Sequence, residues 1–125
     1  YVRRFGFGDT TGVALPAEER GVVHPPHVWD KLTETRMAMG HAVTVTPLQV
    51  AAAMSAIANG GKLMMPQIVK DVTDEHGVVV STFPTQEVRP VCRESAARAV
   101  RDAMVALGYV AEGSGPDVVT FCAPR

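Results

Sequence analysis

The residues best suited to covalent chemistry in this chain are its serines, because a serine activated by a nearby lysine can attack an acyl group. A common arrangement places the lysine three positions later, as S-x-x-K, and adds an S-x-N and a K-T-G motif. Ser55 is followed by Ala-Ile-Ala, and neither S-x-x-K nor S-x-N occurs at any of the serines. No lysine precedes Thr-Gly. The sequence therefore predicts no catalytic residue for acyl transfer within these positions. The serines compared are Ser55, Ser81, Ser95 and Ser114.

A metal site is a second chemistry to consider, because imidazole and thiolate groups bind zinc in tetrahedral sets. His24 and His27 flank two prolines, and Cys92 and Cys122 lie 30 positions apart. No C-x-x-C accompanies them, and the spacing is not that of a zinc finger. We expect surface histidines and no metal. The two cysteines are compatible with a disulfide, two inert thiols, or one of each.

Cofactor and nucleic-acid binding are both disfavoured by the sequence. Gly6, Gly8 and Gly12 form G-x-G-x-x-x-G, which is not the dinucleotide spacing, and no β-branched strand precedes it. A turn-rich loop explains these glycines better, so no cofactor is expected. Lys and Arg number 12 against 13 Asp and Glu, leaving no basic excess to bind a nucleic-acid backbone.

One buried helix is the clearest structural element, predicted from Pro47 to about Asn59 within a segment 47–60. Thr46 is a suitable N-cap, Pro47 suits the first helical position, and Asn59-Gly60-Gly61 supply residues that end a helix. The residues between are apolar almost all round the axis, with only Gln49 and Ser55 polar. Such a helix is predicted to be buried on most sides.

The remaining secondary-structure elements are predicted from turn-forming residues and from changes in the spacing of apolar residues. Residues 1–46 are rich in turn-formers and predict a loop region, with Thr44 and Val45 extended before Pro47. Two β-branched runs around residues 73–77 predict a hairpin over 66–82. Residues 94–107 predict an amphipathic helix, and VVTF at 118–121 could begin a strand. The predicted apolar face of that helix consists of Ala96, Ala99, Val100, Ala103, Met104 and Leu107.

Several motifs in one order complete the picture: FGFGDTTG, LPAEE, a lone Trp29, MAMGHAVTVTPLQ, ANGG, HGVVV and EGSG. In this order the sequence resembles the transpeptidase domain of class B penicillin-binding proteins, over residues 1 to about 115. The family pattern reads F-G-x-G-x-x-T-G, L-P-x-E, Trp, S-x-G-x-G-x-x-V-T-P-L-Q, A-N-G-G and G-T-G. This chain departs from it at residues 38–42 and at LPAEE, where L-P-G-E is common. The short distance from Trp29 to Gly40 resembles the division-specific, septal branch.

The resemblance implies an α+β fold, with helices packed on a central antiparallel sheet that this stretch leaves incomplete. It also implies that the chain is an internal fragment, with both ends expected to be cuts. S-x-x-K and S-x-N would then lie before Tyr1 and K-T-G after Arg125, so the fragment alone should be inactive. In the family, the S-x-G-x-G segment lines one wall of the substrate groove. Met39, Gly40 and His41 are thus candidate groove residues, although ordinary turn residues would look the same.

The longer protein would cross-link peptidoglycan stem peptides through a serine acyl-enzyme and bind β-lactams at the same serine. The resemblance implies a protein anchored in the bacterial inner membrane and facing the periplasm, with divisome membrane proteins as possible partners. Its anchor is not in these residues. An alternative from a different class is a noncatalytic scaffold or interaction domain that retained this part of the fold.

Overall fold

The computed structural model describes residues 1–107. Within this range the chain forms an α+β arrangement of three α-helices and three separate two-stranded antiparallel sheets. Two short 3-10 helices, Val2–Phe5 and Pro26–Val28, lie in the first third of the chain. The elements are β1 (Val22–Val23), α1 (Thr33–Ala38), β2 (Val43–Thr44), α2 (Pro47–Ala58), β3 (Lys62–Met64), β4 (Asp71–Thr73), β5 (Val79–Thr82), β6 (Glu87–Pro90) and α3 (Glu94–Ala106).

Helix α2 begins at Pro47 because Thr46 and Gln49 cap each other. The Thr46 hydroxyl accepts the Gln49 backbone N–H at 3.2 Å, and Gln49 Oε1 accepts the Thr46 backbone N–H at 2.9 Å. This reciprocal capping box satisfies two donors at the helix start. Only Gln49, Ala53 and Ala56 of α2 are buried, and Val50 is 40% exposed. Within residues 1–107 the packing of α2 is thus carried by a single face, and its burial on most sides stays a prediction.

The core lies where α2 packs on the β3–β6 ladder. Ala56, Leu63 and Val91 form its buried cluster, with Phe5 and Ala52 packed against it. The ladder pairs Leu63 with Arg89 and has a bulge between Leu63 and Met64.

The N-terminal segment is fastened to this core by Arg89. Its Nη2 and Nε atoms donate to the carbonyl oxygens of Arg3 and Arg4 at 2.8 and 3.0 Å. These two carbonyls belong to the first 3-10 helix, which therefore lies beside β6.

The hairpin formed by β4 and β5 is shorter than the predicted one. It pairs Asp71 with Thr82 and turns through Asp74–Val78. Lys62–Met64 lies ahead of the predicted hairpin and pairs with β6. Strand β6 has no alternating apolar pattern of its own, which is why the sequence did not predict it.

Helix α3 presents a different face from the one predicted. Ala97 is its buried residue, whereas Val100 and Leu107 are 45% and 66% exposed. The helix packs against α2. The predicted strand at 118–121, Ser114 and Cys122 lie outside the described residues. No helix in residues 1–107 combines the length and apolar character that a membrane crossing requires.

Candidate functional site

The candidate groove residues Met39, Gly40 and His41 form the C-terminal cap of α1. The Gly40 N–H donates to the Met37 carbonyl at 3.0 Å, and the His41 N–H donates to the Arg36 carbonyl at 2.8 Å. These two bonds are those of a Schellman motif, which needs a left-handed residue just after the helix. Gly40 supplies it with φ of +82°. The backbone of the turn is therefore explained by helix termination alone.

The side chains of Met39 and His41 are exposed and take no part in the packing of the described core. Met39 is 62% exposed and His41 is exposed, so neither is needed for the described core. A Cβ added to Gly40 would meet no atom within 4 Å. The turn thus presents a thioether and an imidazole to solvent on a capped, well-defined backbone.

The start of α1 is held by Asp30. Its Oδ1 accepts the Leu32 N–H at 3.1 Å and the Thr33 hydroxyl, and the Asp30 N–H donates to Thr33 Oγ1 at 3.0 Å. The Thr33 hydrogen bond, helped by the Leu32 N–H and the nearby Arg36 charge, lowers the pKa of Asp30. Desolvation acts in the opposite direction but is outweighed. Asp30 therefore orders the turn that precedes α1, whereas the C-terminal end of this six-residue helix is the end that is capped.

Beyond the turn, the chain enters a very short ladder. Strand β2 pairs with β1, placing Val43 opposite Val23 and Thr44 opposite Val22. The turn leads into one end of this ladder, and the other end leads to Gly21 and α2. A Cβ at Gly21, whose φ is +67°, would overlap the Thr44 carbonyl oxygen. Glycine is required there by both the backbone angle and the close approach.

Gln49 closes the other end of the ladder. It is 1% exposed, and its Nε2 donates to the carbonyl oxygens of Asp9 and Arg20, each at 2.7 Å. Its Oε1 accepts the Thr46 N–H, so both donors and the acceptor of the amide are used. One side chain thereby joins the first loop, the segment before β1 and the start of α2. The sequence signal was the T-x-x-Q spacing of a capping box.

Glu18 stabilises the first loop by hydrogen bonding to backbone groups of the same loop. Its two carboxylate oxygens accept the backbone N–H groups of Thr11 and Gly12 at 2.6 and 3.1 Å. Desolvation raises its pKa, but hydrogen bonds from the Thr11 side chain and these two amides outweigh that effect and lower it. The preceding residue, Ala17, has φ of +59°, the one non-glycine positive value in the described residues. A left-handed alanine stands where the resembling motif commonly has glycine.

The histidines considered for a metal site lie in an exposed stretch. The His24 carbonyl accepts Trp29 Nε1–H at 2.9 Å, and His27 belongs to the second 3-10 helix. Cys92 is half-buried and its Sγ lies close to Gly61. In the part of the chain that the structure describes, no three His, Cys, Asp or Glu side chains gather as a metal would need.

A separate groove of about 340 Å³ lies between the end of α2 and α3. Lys62, Glu94, Arg98 and Arg101 line it, and Glu94 pairs with Arg98 at 2.8 Å. These side chains are more than half exposed, so water screens their charges strongly. The groove is a solvated, mixed-charge surface and does not include the Met39–His41 turn.

Comparison with known proteins identifies the family to which this chain belongs. The sequence matches the family model described as the penicillin-binding protein transpeptidase domain over residues 1–117. The chain belongs to this family. It is 36% identical over 118 residues to stage V sporulation protein D of Bacillus subtilis, covering 92% of this chain and 18% of that protein. This relative is a class B penicillin-binding protein. The resemblance that the sequence motifs indicated is therefore confirmed.

Solved structures share the fold. A peptidoglycan synthetase from Bifidobacterium adolescentis superimposes with a TM-score of 0.73 at 34% identity, covering 87% of this chain and 21% of that one. Penicillin-binding protein 3 from Mycobacterium tuberculosis, complexed with ampicillin, gives a TM-score of 0.72 at 32% identity, covering 86% and 25%. The chain therefore spans about a fifth to a quarter of the proteins it matches. The α+β fold of a penicillin-binding transpeptidase is confirmed, as a part of that domain.

Proposed function

We propose that this chain is a section of a peptidoglycan D,D-transpeptidase that cross-links stem peptides through a serine acyl-enzyme and is acylated by β-lactams. The family match over residues 1–117 carries this proposal. The sequence contains no S-x-x-K, S-x-N or K-T-G, and the chain spans under a quarter of the length of the first relatives. The nucleophile and its partners would accordingly be supplied by sequence outside these residues.

In this proposal the turn Met39–Gly40–His41 forms one wall of the substrate groove. Support comes from the exposed Met39 and His41 side chains on a backbone fixed by the Schellman bonds. A thioether and an imidazole can pack against the peptide or the antibiotic side chain, and imidazole can also donate or accept a hydrogen bond. Gly40 contributes the turn and no side chain. None of the three residues takes part in bond making.

The setting of the longer protein is also part of the proposal. We place it in the inner membrane facing the periplasm, where peptidoglycan stem peptides are available, with an anchor outside residues 1–125. The short distance from Trp29 to Gly40 supports a role in septation with divisome membrane proteins as partners. No metal, cofactor or nucleic acid is involved in the proposed reaction.

The test uses the complete reading frame that contains this chain, beside residues 1–125 alone. Both are incubated with a fluorescent penicillin, denatured and separated. We expect a covalent label on the longer protein, lost when the serine of its S-x-x-K is changed to alanine, and no label on residues 1–125. A labelled short chain would contradict the absence of a nucleophile. An unlabelled longer protein, or stop and start signals bounding residues 1–125, would favour the scaffold alternative.

A further inference from the structure

We infer that Gln49 is a positioning residue for the Met39–His41 turn and thereby sets how tightly the longer protein holds its acyl substrate before the covalent step. The inference rests on the proposed function, because it assumes that this turn lines the substrate groove. Gln49 itself lies at the opposite end of the β1–β2 ladder, so it acts through the ladder.

The geometry of the ladder connects the two sites. Antiparallel pairing of Val22 with Thr44 and of Val23 with Val43 puts His41 and His24 at one end of the strands. At the other end, Gln49 bonds the Arg20 carbonyl, two residues before β1, and the Thr46 N–H, two residues after β2. A single buried amide therefore bridges both strands just beyond their last pair.

The ladder needs such a bridge because it is so short. Two residue pairs give few hydrogen bonds, and even a full two-stranded hairpin is marginally stable in water. At the Gln49 end, Gly21 allows the backbones that continue β1 and β2 to come into close contact, with the Thr44 carbonyl oxygen beside the Gly21 Cα. The third bond, from Gln49 Nε2 to the Asp9 carbonyl, ties the same point to the first loop. Loss of the bridge would free the ladder to tilt and would move the turn at its far end.

The set of bonds requires an amide on a side chain of glutamine's length. The amide supplies two N–H donors for the Asp9 and Arg20 carbonyls and one acceptor for the Thr46 N–H. Methionine has a similar length and no such donor. Glutamate keeps the acceptor but loses both donors, and its charge would be buried against two carbonyl oxygens.

The experiment compares Gln49→Met with Gln67→Met in the longer protein. Gln67 is an exposed glutamine whose Nε2 donates to the Pro84 carbonyl at 2.6 Å, so it controls for loss of one amide side chain. Rapid-mixing kinetics with a β-lactam separate the dissociation constant of the noncovalent complex from the limiting rate of acylation. For Gln49→Met we expect the constant to rise about tenfold while the limiting rate stays within about twofold. For Gln67→Met both should stay within about twofold.

A double-mutant cycle separates positioning from a general loss of structure. When Met39 and His41 are already alanine, Gln49→Met should change the dissociation constant by less than about twofold, because the wall it positions is gone. If the Met variant does not fold, Gln49→Asn replaces it in the same cycle, because asparagine keeps a neutral amide on a side chain one methylene shorter.

Three results are decisive. Additive effects in the cycle, or a Gln49 variant with an unchanged dissociation constant, would overturn the positioning role. Normal acylation of the unmodified longer protein together with either result would leave the proposed function intact. Absence of any acylation of that protein would overturn the proposed function itself.

Discussion

The first 21 residues and the β4–β5 hairpin differ in a way that their secondary structure does not suggest. The first segment has only one 3-10 turn, yet the side chains of Gln49, Glu18 and Arg89 bond its backbone at six points. The hairpin is a paired antiparallel ladder with one register shift between Val72 and Thr73, yet every residue from Val72 to Phe83 is exposed. Regular hydrogen bonding between two strands does not by itself bury side chains.

This contrast has a physical basis. A loop has no strand partner for its backbone carbonyl and N–H groups, so side chains must satisfy them: Glu18 from within the segment, and Gln49 and Arg89 from elsewhere in the chain. A hairpin satisfies its groups locally and needs no support from the body. Substitutions should therefore lower the free energy of unfolding most in residues 1–21 and least in the β4–β5 hairpin.

The strongest test of the contrast replaces one glycine in each region. Gly21 and Gly77 both have left-handed φ values, +67° and +79°, but only Gly21 has an atom in the way of a Cβ. We expect Gly21→Ala to lower the free energy of unfolding by about 3 kcal/mol, from strain plus overlap with the Thr44 carbonyl. Gly77→Ala should cost only the strain, about 1 kcal/mol. Urea denaturation of both variants measures the difference, and equal losses would break the comparison.

A smaller change of opposite sign is expected at Ala17. Its φ of +59° is costly for a residue with a Cβ, and glycine removes that cost. Because glycine also gains freedom in the unfolded chain, the net stabilisation by Ala17→Gly should be roughly 0.5 kcal/mol.

Ala14→Gly is the matched control for Ala17→Gly. Ala14 is exposed in the same segment and lies outside the set of positive φ values. This variant should lose roughly 0.5 kcal/mol in the same urea denaturation experiment. Destabilisation by both variants would show that the strain at Ala17 is relieved elsewhere.

The smallest effect concerns pH. Glu18 and Asp30 both have a folded-state pKa below the ordinary value, so their carboxylates stabilise the fold above that value. This stabilisation falls as the pH drops through about 4.5 for Glu18 and about 3.8 for Asp30, and each contribution disappears below the folded-state pKa of its group. Glu18→Gln should cost under about 1 kcal/mol at pH 7, since the group is partly exposed, and less still at pH 3. The measurement is the urea denaturation midpoint of Glu18→Gln at pH 7 and pH 3, with the exposed neighbour Glu19→Gln as the control. If Glu18→Gln lowers the midpoint equally at both pH values, the Glu18 carboxylate does not have this role.

Much of the fold was accessible from local signals in the sequence. Thr46 and Pro47 predicted where α2 begins, because capping depends on adjacent residues, and the structure has the helix over Pro47–Ala58. The turn before Val79 was recognised from Asp74 and Gly77. Strand β6 and the partner of Lys62–Met64 were not, because strand pairing across more than 20 positions leaves no local pattern.

The candidate site was predictable to a lesser degree. The position of the turn came from the family resemblance, while Gly40 as a helix cap follows from its left-handed angle. The burial of Gln49 was missed, since a polar residue on an apolar helix reads as the solvent side. Only the two carbonyls from residues 9 and 20, distant in sequence, make its burial favourable.

The turn of the hairpin has a practical use in protein engineering. Asp74 closes it locally, with Oδ1 accepting the N–H groups of His76 and Val78, each at 2.9 Å. An exposed tip held by its own residues is the kind of place where inserted peptides are tolerated. A short epitope or a dye-labelling sequence placed between Glu75 and His76 would let the longer protein be followed in living cells while residues 39–41 and Gln49 stay unaltered.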